Sequence, residues 1–295
     1  MNVNHSKPGF QIPAGACDCH MHIFGTADRY PFAPGRSYTP PEASLRAYRD
    51  MTRTLGLERN VFVQGSAYGA DNACLLDALS EAGATARGVV MIDRQTTDDA
   101  LRSMDKAGVC GVRVNAHSAG IRSASEKESV LRETADRIKP LGWHIQLFAA
   151  LDAVAELAPV LLSLGVPVVI DHMGMAKAHR GVQQPGFRSL LDLVADGAWV
   201  KISGAYRVSE EAPDYPDAKP IAQALIDANP DRVVWGTDWP HTGKHPNASL
   251  EAAPLTEYRP LDDGLLLDLL ASWAEDPAIR RKILVDNPAE LYGFN

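Results

Sequence analysis

Eight short apolar runs recur along this 295-residue chain, most of them rich in β-branched residues, closed by Gly, Asp, Asn or His, and followed by a longer amphipathic stretch. They are ACDCHMHIF from Ala16, NVFVQG from Asn60, RGVVMID from Arg87, GVRVN from Gly111, WHIQLF from Trp143, PVVIDH from Pro167, WVKISG from Trp199 and RVVWGTD from Arg232. Such alternation marks βα units around a parallel sheet, and eight units are what a closed barrel requires. The stretches between them read as helices over 45–55, 72–82, 97–107, 126–138, 151–164, 187–194 and 218–228. Two more, over 264–273 and 277–285, close the chain. Thr97 and Asp98 before one helix and Pro277 at the head of another are helix-start signals. The expected fold class is α/β, a (β/α)8 TIM barrel. Residues 1–295 form one domain, with the barrel over about 16–240 and a C-terminal loop with helices over 241–295. The length forces no split, because such barrels occupy roughly 250 residues as one domain.

Charge and cysteine content remove several classes of function. Lys plus Arg number 29 against 37 Asp plus Glu, a formal net charge of -8, and no basic stretch is long enough to follow a phosphate backbone. Nucleic acid is therefore not an expected partner. The opening MNVNHSKPGFQIPAGA has neither a basic n-region nor an apolar h-region, and no later apolar run has transmembrane length. A cytoplasmic protein with no membrane partner is expected. Its partner is a small molecule, with homo-oligomerisation left open. Cys17, Cys19, Cys74 and Cys110 are too few and scattered for a disulfide scaffold. Cys17 and Cys19 stand closer together than zinc-binding cysteine pairs usually do, and read as buried strand thiols.

Chemistry concentrates at the ends of the runs. His20 and His22 stand two apart on the first strand, where side chains share a side and can share a ligand. Alone, the pair reads equally as two buried, hydrogen-bonded histidines. Asp171 and His172 end a later run, however, and Asp238 ends the last, where a barrel presents reactive groups. His241 follows in GTDWPH behind a rigid proline. Two irregular stretches, 25–41 and 241–260, lie at the same end, where loops after strands build a pocket.

Taken together, His20-x-His22, DHMG from Asp171, WVKISG from Trp199, GTDWPH from Gly236 and the late DNPAELYGF resemble the amidohydrolase superfamily, in its 2-pyrone-4,6-dicarboxylate lactonase-like branch. VQGSAYGADN and GVRVN extend the resemblance over nearly the whole chain. It implies hydrolysis of a lactone by water, with Asp238 as general base and His20, His22 and His172 polarising the carbonyl or holding a metal. It further implies that Arg113 binds a substrate carboxylate, a task suited to a planar guanidinium, and that Ser66 and Tyr68 line the ligand. Tyr68 reads equally as a cover over the core. Where the resembled enzyme carries two further arginines this chain has Ala119 and Met175, so a less highly charged lactone is expected, with Arg207, Lys244 and His241 as further contacts. Lys201 either faces the pocket or snorkels outward.

His20, His22, His172 and Asp238 can hold one divalent ion, zinc being the first choice, with a position open for water. The resemblance equally implies metal-free catalysis by the same four residues, and both readings stand. Phe148 sits where a bridging Lys or Glu would be needed, which disfavours a two-metal centre. Three other activities share these residues: a sugar-acid lactone isomerase, a metal-dependent decarboxylase, and a catalytically silent barrel that binds a small acid.

Overall fold

The computed structural model describes residues 4–116, 123–243 and 255–294. Eight parallel strands run in sequence order around one sheet: β1 (Cys17–Met21), β2 (Arg59–Val63), β3 (Ala86–Val90), β4 (Val109–Asn115), β5 (His144–Phe148), β6 (Val168–Ile170), β7 (Trp199–Lys201) and β8 (Val233–Val234). The ring closes where Cys19 N–H donates to the Trp235 carbonyl at 3.0 Å and Asp238 N–H to the His20 carbonyl at 2.8 Å. This is the expected (β/α)8 TIM barrel.

The helices fall between the strands: α1 (Leu45–Leu55), α2 (Ala73–Ala82), α3 (Asp98–Lys106), α4 (Ala124–Ile138), α5 (Leu151–Ser163), α6 (Phe187–Ala195), the short α7 (Ala205–Val208) and α8 (Ala218–Ala228). Local chemistry sets their starts. The Thr97 hydroxyl caps α3 by accepting from Ala100 N–H. Ser123 and Glu126 form a reciprocal capping box on α4, which therefore begins before residue 126. Beyond the barrel lie α9 (Asp263–Trp273), α10 (Pro277–Arg281) and α11 (Asn287–Tyr292). The helix expected over 277–285 is interrupted by a π-helical turn at Lys282–Asp286.

Alternation along the strands divides the core into two layers. Phe62, Val90 and Val112 face the helices with Leu79 and Leu101, whereas Val61, Val63, Val89, Val169 and Val234 fill the barrel with Cys17 and Cys19. The floor is sealed by Tyr292 and Phe294 from the far end of the chain. Arg59 and Arg87 stack on the Phe294 ring at 5.4 and 4.6 Å, and Arg87 donates to the Tyr292 carbonyl at 3.2 Å. Cys17 and Cys19 are buried free thiols; Cys74 lies on α2 rather than on a strand.

Candidate active site

β1 carries an irregularity that decides the site. Cys17 and Cys19 point into the barrel, and strict alternation would send His20 outward beside Asp18, whose carboxylate accepts from the Tyr48 hydroxyl of α1 at 2.9 Å. The β1–β2 register instead slips between Asp18 and Met21. This bulge turns both His20 and His22 into the mouth, their ring centroids 5.0 Å apart. Gly236 permits the close approach, since a Cβ there would stand 2.6 Å from the His20 backbone nitrogen.

His172 and Asp238 reach the same point from residues just past β6 and β8. Both have left-handed backbones, φ 49° and 63°. Such strain gathers where geometry serves function rather than propensity. Asp238 Oδ1 lies 3.7 Å from His20 Nε2, 3.7 Å from His22 Nε2 and 3.9 Å from His172 Nε2. Asp238 is fully buried, and among the described residues Oδ1, His20 Nε2 and His172 Nε2 have no hydrogen-bond partner.

The other atoms of these groups are fully engaged. Asp238 Oδ2 accepts from the Tyr206 hydroxyl at 2.6 Å and from Arg207 Nε. Burial would raise the Asp238 carboxyl, but the Arg207 guanidinium and the neighbouring imidazoles outweigh it and hold the group well below the usual carboxylate range. Burial lowers His22 to about 3, reinforced by Arg113. Burial likewise lowers His172 to about 4 against the pull of Asp238, and holds His20 well below the ordinary histidine value. All three imidazoles are therefore neutral at pH 7.

A neutral ring carries one proton, and His22 places it. Its Nδ1 lies 2.8 Å from the Val63 carbonyl, which can only accept, so Nδ1 carries the hydrogen and Nε2 a lone pair. Nε2 then faces an ionised carboxylate oxygen with no donor between them. A cation or a bound water relieves that opposition. Tetrahedral zinc, with bonds of about 2.0–2.2 Å, keeps its ligands about 3.3–3.6 Å apart, close to the spacing here. His20, His22 and Asp238 bring one donor atom each within 4.8 Å of one another, as do His20, Asp171 and His172; by donor type and burial these residues fit one divalent ion.

Around this centre, Arg113 is 7% exposed. It donates to the Gln64 carbonyl at 3.1 Å and lies over the Phe148 ring at 5.3 Å; its Nε makes no hydrogen bond among the described residues and lies 3.9 Å from Asp171 Oδ2. Tyr38, from the irregular stretch 25–41, is buried, hydrogen-bonds Ser66, and sits in the field of Arg113 and Arg207. Tyr68 lies apart from this group. Its hydroxyl accepts from Gly25 N–H at 3.0 Å and its ring stacks on Phe32 at 4.9 Å, which makes it a cover for the first loop.

Arg207, expected on a loop, occupies α7 with its guanidinium on Asp238. His241 Nε2 pairs with Asp263 at 3.1 Å, and Asp263 also meets His5; His241 thus anchors α9 rather than joining the cluster. Lys201 faces inward and is fully buried. Lys244 and Ala119 lie outside the described residues. Tyr206 drew no notice in the sequence, where nothing distinguishes it from the other apolar residues of its segment.

Residues 17–294 match the family model described as amidohydrolase. The chain belongs to the amidohydrolase family. It is 38% identical to a 2-pyrone-4,6-dicarboxylate hydrolase of Comamonas testosteroni, with 98% of this chain and 94% of the relative covered. A 4-sulfomuconolactone hydrolase of Hydrogenophaga intermedia is 37% identical, with coverage of 98% and 93%. Among solved structures, an apo protein of Agrobacterium tumefaciens superposes with a TM-score of 0.83 at 29% identity, covering 98% of this chain and 99% of its own. Family membership accounts for the shared barrel.

Proposed function

We propose that this amidohydrolase opens the ring of a small lactone acid by attack of water. Asp238 is the base, Arg113 the anchor for a substrate carboxylate, and His20, His22 and His172 the groups around the carbonyl. One observation carries the reading: a buried carboxylate oxygen with no hydrogen-bond partner among the described residues faces three imidazole nitrogens within 3.9 Å. Oδ1 takes the proton of water and returns it to the departing ring oxygen, while Tyr206 and Arg207 hold Oδ2 and fix the carboxylate's direction. The Arg113 guanidinium, whose Nε lies 3.9 Å from Asp171 Oδ2, is the planar cation beside the cluster suited to an anionic substituent.

The same four residues are proposed to hold one divalent ion, zinc by preference. When bound, it would supply Lewis-acid polarisation and lower the pKa of water. The His22 tautomer supports this choice, because an Nε2 lone pair accepts from or ligates its neighbour and cannot polarise a carbonyl by donation. The relatives act on a pyrone dicarboxylate and a sulfomuconolactone, which supports an anionic lactone from aromatic or sugar-acid breakdown. No helix among the described residues is long and apolar enough to cross a membrane, in keeping with the proposed cytoplasmic location.

The test is a lactone panel assayed with protein as purified, after chelation, and after zinc is restored. Ring opening that is lost and then recovered supports both base and ion. Opening that survives chelation removes the ion and keeps the base. A product with the ester moved to another hydroxyl makes the chain an isomerase, and absence of any turnover overturns the reading.

A further inference from the structure

Beneath the site lies a second layer of buried polar groups. The Lys201 ammonium donates to the Cys19 carbonyl at 2.8 Å and to Gln146 Oε1 at 2.6 Å. The same amide donates from Nε2 to Asp171 Oδ2 at 3.0 Å, so Gln146 spans the cation and the anion. Asp171 Oδ1 lies 3.4 Å from His20 Nδ1 and 3.6 Å from Lys201 Nζ, and Lys201 Nζ lies 3.3 Å from His20 Nδ1. Asp171, Gln146 and Lys201 are all buried, and Asp171 also brings a carboxylate oxygen within 4.8 Å of ring nitrogens of His20 and His172.

We propose that Lys201, Gln146 and Asp171 are positioning residues that hold the His20 ring with its proton on Nδ1, so that Nε2 presents a lone pair toward Asp238 Oδ1. The inference rests on the reading of that cluster as the reactive centre. Lys201 has three N–H groups, and two are taken by Cys19 and Gln146. Were the third given to His20 Nδ1, the hydrogen would sit on Nε2 and Asp171 Oδ1 would be left buried with no donor. Lys201 Nζ stands within hydrogen-bond distance of His20 Nδ1, and Asp171 Oδ1 has no hydrogen-bond partner among the described residues. Turning the third N–H from His20 to Asp171, 3.6 Å away, with the His20 Nδ1–H on the same oxygen, gives that buried carboxylate oxygen its donors. A ring N–H given to a carboxylate is also the usual outer partner of a ligating histidine. Lys201 holds Asp171 in place through charge, and Gln146 fixes which oxygen turns to His20.

The tautomer can be read directly by long-range nitrogen–proton correlation NMR on metal-free protein labelled with 15N-histidine, the His20 signals being assigned with His20→Gln. The expected result is an Nδ1-protonated neutral His20 in the native chain. Lys201→Met should shift it to the Nε2–H form or a mixture, and lower turnover about 10–100-fold; Gln146→Leu provides the same reading should Lys201→Met fail to fold. An Nε2–H tautomer in the native chain overturns the inference, as does an unchanged tautomer in both variants. Because the readout is independent of turnover, an Nδ1–H ring in a protein that opens no lactone supports the positioning and overturns only the functional reading.

Discussion

Asp238 divides its two oxygens between two tasks. Oδ2 is spent on Tyr206 and Arg207, whereas Oδ1 has no hydrogen-bond partner among the described residues; in the proposed mechanism the first sets the direction in which the second acts. Asp238→Asn keeps the shape and removes the base, so circular dichroism should show a native fold while kcat/KM on a responsive lactone falls about 10²–10⁴-fold. Activity within tenfold of the parent would remove Asp238 from the proposed mechanism. Arg113 is proposed to act on binding. Arg113→Met should raise KM by at least tenfold for a lactone bearing a carboxylate, and leave a neutral lactone of the same ring nearly unaffected; equal losses on both substrates would point to a structural role instead.

At the scale of elements, β1 matters most, because its bulge turns both His20 and His22 toward the proposed site. Gly236 lies directly against that bulge. Gly236→Ala would drive a methyl group into the His20 backbone, with an expected stability loss of about 1–3 kcal/mol by chemical denaturation and loss of turnover through displacement of His20. A parent-like midpoint together with parent-like kcat would mean that β1 and the segment after β8 have room to part. The bulge also marks a boundary of legibility. The pairing of His20 with His22 was visible in their spacing, but alternation counted from Cys17 and Cys19 gives both histidines the opposite direction. Only the register against β2, a long-range property, resolves the conflict. Lys201 is similar: its place on β7 was plain and its direction was not, since the partners that attract its ammonium come from β1 and β5. Arg207 and Tyr206 lie on a four-residue helix too short to leave a periodic trace.

Across the whole molecule, the run-and-helix rhythm was enough to read eight strands and a barrel, because each unit must bury its own apolar face locally. The π-helical turn near the end has no such signature. The buried histidines give the molecule a definite response to acid. His22 and His144 are lowered to about 3 and His172 to about 4, in each case by burial first. The unfolded chain therefore binds protons below about pH 6.5 that the folded chain refuses. Stability from these groups is fully present above that pH and is lost as pH falls through the window toward 3–4, on the order of 1 kcal/mol per pH unit for each histidine. Asp18, raised by burial to about 6, works in the opposite sense only below that value and offsets one histidine of the three. Thermal unfolding from pH 7.5 to pH 5 should therefore show a falling Tm; a level or rising profile would contradict the neutral histidines on which the site depends.

The aromatic floor has a temporal consequence. Arg87 of β3 and Tyr292, which it grips, are 205 positions apart, and β1 is joined to the segment after β8 across 219 positions between Asp18 and Thr237. Contacts that distant must wait for loop closure. A ribosome making this chain would therefore hold an open, unsealed sheet until α11 emerged, and the histidines of β1 would be made long before their partner, Asp238.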